Sequence, residues 1–121
     1  MKSVKAIINI GYNEGYGKND KMTLDEFSLF LQDFIANNYE SIGEYISFIV
    51  TPAMTVYNTD WGCPNGGEPT MLLTASANPQ FVKNIDLWKI HVEEYARRLK
   101  SVLKQSTVFI EFVETDTAYL K

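Results

Sequence analysis

The chain has 121 residues, of which 45% are hydrophobic and 13% aromatic, and a formal net charge of -4. That is one domain's worth of sequence, with enough apolar material to build a core without metal or disulfide staples and too much to stay disordered. The acidic balance excludes sequence-independent binding of duplex nucleic acid, which requires a basic surplus, and leaves room only for a local basic patch facing a small anion.

Cys63 is the lone cysteine and His91 the lone histidine, which excludes an internal disulfide and leaves no Cys/His metal site. An odd cysteine suits a reducing compartment. No signal-peptide pattern precedes Val4, and no apolar run approaches the roughly 18 residues of a membrane span. The expectation is a cytoplasmic protein with no membrane partner, resident in the host cytoplasm if phage-encoded.

In chain order, Val4, Ala6, Ile8 and Ile10 alternate with Lys5, Ile7 and Asn9, the period-two pattern of a strand that Gly11 ends. Tyr12 to Met22 is a glycine- and asparagine-rich loop. Thr23-Leu24-Asp25-Glu26 is a capping box, so a helix starts there, and Leu24, Phe27, Phe30, Leu31, Phe34 and Ile35 form its apolar stripe. Asn37 and Asn38 read as its terminators. Tyr45 to Tyr57 is β-branched and aromatic, a strand whose Pro52 assigns it to a sheet edge or a bulge. Asn58 to Glu68 is dense in turn residues, and Thr70 to Ala75 is a third strand. Asn78-Pro79 reads as a helix start, followed by the stripe Phe81, Ile85, Trp88, Val92, Tyr95, Leu99, Val102 and Leu103. Thr107 to Thr115 alternates again as a last strand.

The order strand-helix-strand-strand-helix-strand resembles the ferredoxin-like α+β fold, a four-stranded antiparallel sheet with two helices on one face, here as a single domain over residues 1–121. Right-handed crossovers put strands one and three at the centre and strands two and four at the edges. Ile7, Phe109 and Val113 then point to the uncovered face, together with Lys5, Asn9 and Glu111, and a homo-oligomer formed through that face is expected. The same topology gathers the Gly11–Met22 loop, the Asn58–Glu68 loop and the turn near Lys104 and Gln105 on one rim.

That rim is the candidate site. Tyr12, Tyr16, Tyr57 and Trp61 offer flat surfaces, Gly17 lets backbone amides converge, and Lys18, Lys21 and Lys104 supply charge, a combination suited to a nucleotide-like or small anionic ligand. The Gly17-Lys18 pair is not a Walker A loop, because Tyr12 stands where its first glycine is required and Asn19 replaces the magnesium-binding Ser/Thr. His91 lies one helical turn from Trp88 and from Tyr95, the setting of a packed histidine rather than a general base. Asp60, Glu14 and Glu68 are loop acids without diagnostic spacing. No residue is nominated as catalytic, and no cofactor or metal is expected.

Short matches spread along the chain resemble an uncharacterised family of small bacterial and phage domains with the ferredoxin-like fold. They are Gly11 at the end of the first strand, Thr23 to Phe27, Trp61-Gly62, Glu68, and Tyr95 to Leu103 leading through Gln105 into Val108-Phe109-Ile110. That resemblance implies the fold and brings no catalytic residue or cofactor. The functional expectation is a non-catalytic protein that captures a nucleotide-like ligand, such as a phage protein that sequesters a host immune signal. The alternatives are an interaction or inhibitor module acting through its acidic surface or open sheet, and a small cofactor-independent enzyme of the dimeric ferredoxin-like type with His91 as base.

Overall fold

The computed structural model describes residues 1–121. The elements run β1 (Lys2–Gly11), α1 (Leu24–Ile42), β2 (Ile49–Thr55), a short 3-10 turn (Thr59–Trp61), β3 (Glu68–Ser76), α2 (Ile85–Val102) and β4 (Phe109–Asp116). All sheet pairings are antiparallel, and the strand order is β2-β3-β1-β4. This is the ferredoxin-like α+β arrangement, with strands one and three central as the crossover rule requires. Pro52 sits on edge strand β2, where only one side of the strand is paired.

Alternation along the strands divides the sheet between core and open face. Ala6, Ile8, Ile10, Met71, Leu73 and Ala75 are fully buried beneath the helices, where Phe27, Leu31 and Phe34 of α1 meet Trp88, Val92, Tyr95 and Leu99 of α2. The register pairs Ile8 with Leu73 and with Ile110, so these three share that face. One step along, Asn9 pairs with Leu72 and with Phe109 on the opposite, helix-free face.

Three element boundaries differ from the sequence reading. α1 does not stop at Asn37 or Asn38; the Asn38 side chain donates back to Phe34 O at 2.8 Å, and the helix continues to a left-handed cap at Gly43. β2 starts at Ile49 rather than Tyr45, because Tyr45 stacks on Tyr39 with ring centroids 4.4 Å apart and Ile46 is drawn into the core. α2 starts at Ile85 with Asn84 as its N-cap. Asn78 caps only a preceding turn, so Phe81 lies outside the helix and packs edge-on against Tyr119.

The polar side of α2 carries an ion-pair and hydrogen-bond network. Arg97 and Arg98 both bind Glu94, and Arg98 reaches across to Asn38 Oδ1 at 3.1 Å and Ser41 Oγ at 2.6 Å, tying the two helices together. The capping box of α1 is reciprocal, each of Thr23 and Glu26 accepting the other's backbone N–H at 3.1 Å. Thr23→Ala removes one half of that exchange. It is expected to cost about 1 kcal/mol, read as a fall of a few degrees in Tm by calorimetry.

Candidate functional site

One cavity of about 480 Å³ opens on the rim where β1 ends, β3 begins and α2 turns into β4. Its floor is the upper end of the open sheet face. Asn9 Nδ2 donates to Thr55 Oγ1 at 3.0 Å, and Thr55 Oγ1 shares a 3.0 Å hydrogen bond with Thr70 Oγ1. Asn9 Oδ1 is buried without a partner in this floor. A buried acceptor left without a partner is costly to the fold, so Asn9 Oδ1 is held here by its surroundings rather than by a hydrogen bond of its own.

Gly11 brings two further groups together. A β-carbon at this position would stand 2.6 Å from Gln105 Oε1 and 2.7 Å from Glu68 Oε1, so the missing side chain is what allows both oxygens to close over the end of β1. Gln105 is held from its other end, where Nε2 donates to Asn13 O at 2.8 Å and to Leu103 O at 3.0 Å, fastening the first loop to the α2–β4 turn. Glu68 accepts a 3.2 Å hydrogen bond from the Tyr57 hydroxyl. Burial raises the Tyr57 phenol above its ordinary range, and the Glu68 charge and the hydrogen bond to it add to that shift. Tyr57 therefore stays protonated at neutral pH and remains a donor.

The outer wall is aromatic. Tyr16 and Trp61 line the cavity while 71% and 74% exposed. Gly62, in the left-handed region at φ 98, has its α-carbon against the Tyr16 ring, and a β-carbon there would lie 2.6 Å from Tyr16 Cδ1. The two loops are thus fitted to each other by a glycine. Lys104 is the only cation and Glu68 the only anion among the lining residues.

Of the residues nominated from sequence, Tyr16, Tyr57, Trp61 and Lys104 line this cavity. Tyr12 does not: its ring packs near Phe27 and its hydroxyl accepts the Met22 N–H at 3.0 Å, so it staples the loop to the core edge. Gly17 and Lys18 also fall outside, on the exposed outer stretch of the loop. The loop is turned by Asn13, which donates to Asp20 O, and this carries Gly17 and Lys18 away from the rim. His91 lines no part of the cavity, and its Nδ1 is paired with Glu44 Oε1 at 2.5 Å. Sequence reasoning missed Asn9, Thr55 and Thr70; their signal was three polar residues on the helix-free register of strands at one end of the sheet.

The family model of SAM lyases matches residues 1–121. The chain belongs to the SAM lyase family. This replaces the coarser likeness to an uncharacterised family of small domains, and it overturns the expectation of a non-catalytic capture protein, since the family is one of bond-breaking enzymes. A solved structure of a phage SAM lyase in complex with S-methyl-5'-thioadenosine is similar, with a TM-score of 0.59 and 19% identity, over 93% of this chain and 81% of that one. Likeness at that level of identity is a likeness of fold. No curated protein matches significantly. No helix is long and apolar enough to cross a membrane.

The Tyr57–Glu68 pair gives a direct spectroscopic check. Glu68→Gln removes the carboxylate charge that helps hold the phenol up, so Tyr57 is expected to ionise at lower pH than in the parent protein. Tyrosine-labelled NMR titration, with Tyr57→Phe to assign the resonance, reads this; an unmoved titration would show that the two groups do not interact in solution.

Proposed function

We propose that this protein is a lyase acting on S-adenosylmethionine, releasing S-methyl-5'-thioadenosine at the Tyr16–Trp61–Glu68 cavity. The match of the SAM lyase model to the whole chain carries this reading. The cavity supports it. Tyr16 and Trp61 form an exposed aromatic wall suited to a stacked base, above a polar floor of Asn9, Thr55 and Thr70. The phage origin and thioadenosine ligand of the similar structure support a phage protein that depletes its host's methyl donor.

Release of that thioether takes scission of the bond between sulfur and the four-carbon amino-acid chain. The bonding pair goes to sulfur, and the sulfonium becomes neutral. Two water-free routes balance: the substrate's own carboxylate displaces sulfur, or a proton is lost from the carbon next to the one that leaves.

Either way the sulfonium charge disappears while the ammonium charge persists. A carboxylate held against the sulfonium would stabilise the reactant more than the transition state, whereas one held against the ammonium stabilises both equally. We therefore assign Glu68 to the ammonium, with the Tyr57 hydroxyl orienting it, and the aromatic wall to the adenosyl sulfonium.

Purified protein is expected to convert S-adenosylmethionine to S-methyl-5'-thioadenosine, followed by chromatography, with equimolar loss of substrate. Trp61→Ala removes a stacking surface and should raise KM about tenfold. Glu68→Gln should cost roughly ten- to hundredfold in kcat/KM, chiefly through KM. A substrate that survives prolonged incubation intact overturns the assignment.

We infer in addition that the open sheet face mediates self-association. Ile49 and Phe109 are 69% and 66% exposed there, beside half-buried Ile7 and Leu72. That apolar area on an uncovered face favours a partner surface. Sedimentation should give a multiple of 13.8 kDa that Val113→Glu dissociates; a 13.8 kDa species alone at high concentration counts against it.

A further inference from the structure

α2 closes in a two-bond turn of the Schellman type, with Gln105 N–H donating to Lys100 O at 2.9 Å and Lys104 N–H to Ser101 O at 3.2 Å. The residue in the left-handed position is Lys104, at φ 55, the one non-glycine residue of the chain with positive φ. α1 meets the same requirement with Gly43 at φ 89. Glycine takes this conformation without steric cost, whereas a lysine β-carbon crowds its own backbone there. A strained residue where glycine would serve the fold better points to work for its side chain.

The side chain is well placed for work. Lys104 is the single cation lining the cavity, opposite in charge to the single anion, Glu68. Its Nζ stands 3.6 Å from Glu14 Oε2, and both side chains are about two-thirds exposed, at 68% and 66%. An ion pair that open contributes little and exchanges readily. Glu14 itself does not line the cavity, so the pair holds the ammonium at the mouth, facing a carboxylate that a second carboxylate can replace.

We propose that Lys104 is a specificity-determining residue that binds the α-carboxylate of the substrate, trading Glu14 for it. This rests on the lyase reading above. With Glu68 on the ammonium, the cavity then presents one charge of each sign to a zwitterionic amino-acid head, which distinguishes S-adenosylmethionine from nucleosides and thioethers that lack it. The left-handed turn is what carries this ammonium to the cavity mouth while the adjacent Gln105 clasps Asn13 O.

The test compares three probes on the full chain. S-adenosylmethionine is the substrate, S-adenosylhomocysteine keeps the amino-acid head but has no sulfonium, and S-methyl-5'-thioadenosine has no head. Lys104→Met and Lys104→Gly are expected to raise KM for S-adenosylmethionine and Kd for S-adenosylhomocysteine about tenfold, as for loss of one charged hydrogen bond. Kd for S-methyl-5'-thioadenosine should stay within about twofold, and Lys104→Arg should keep most of the affinity. Lys104→Gly should at the same time raise Tm by about 3 °C through relief of the backbone conformation.

A Lys104→Gly protein that is stabilised and keeps its KM and S-adenosylhomocysteine affinity overturns the proposal, as does an equal loss of affinity for all three probes. Parent protein that neither cleaves S-adenosylmethionine nor binds S-methyl-5'-thioadenosine overturns the lyase reading together with this one.

Discussion

Everything in this molecule depends on how β1 is shared between two environments. It lies between β3 and β4, so both of its edges are hydrogen-bonded, and its side chains alternate between a sealed core and the helix-free face. Ala6, Ile8 and Ile10 have essentially no contact with water. Burial of such side chains is worth about 1.5–3 kcal/mol each for the larger ones, which pins the register of the central strand against any slip. Asn9 and Gly11 on the other register are thereby fixed in space without having to contribute to stability. The cavity floor is a by-product of the core in this sense: its position is set by residues that never touch it.

The electrostatics of the rim follow from the same arrangement. An acidic protein holds a polar cavity with one lysine and one glutamate, and the glutamate is oriented by a phenol that burial and the neighbouring charge keep protonated. The aromatic wall is supplied by loops rather than by strands, and it is held by a glycine fitted under a tyrosine ring instead of by apolar burial. Rigid floor and lightly held wall are therefore distinct parts, one from the sheet and one from two loops.

The fold was legible because its signals are local and mutually consistent: a reciprocal capping box at Thr23 and Glu26, period-two strands at both ends, and a long apolar stripe from Ile85 to Leu103. The boundaries that differed were decided by side-chain contacts that residue type alone does not announce. Ile46 is claimed by the core and Tyr45 by the Tyr39 ring, neither of which the β-branched and aromatic composition of the segment reveals. The rim was legible through topology, and four of its seven nominated aromatic and charged residues (Tyr16, Tyr57, Trp61 and Lys104) line the cavity. Tyr12, Gly17 and Lys18 lie outside it, and for Tyr12 a tyrosine beside a glycine carries no information on whether its hydroxyl will face a cavity or a backbone amide; here it accepts the Met22 N–H. The chemistry was not legible at all. No residue spacing in the chain announces a reaction, and the family match over the full chain supplied what residue patterns did not.

The alternation in β1 also bears on how such a chain can change over time. Because core and cavity draw on opposite registers of one strand, substitutions on either register are screened separately, one for packing and the other for ligand recognition. Sequence can drift widely under those two filters while the backbone path persists, in keeping with a retained fold at 19% identity. Insertion or deletion of a single residue between Val4 and Gly11 would exchange the two registers in one step, sending Asn9 into the apolar layer and Ile8 or Ile10 onto the cavity floor. A change of length in this strand would therefore disturb packing and cavity together, whereas a single substitution disturbs only one of them.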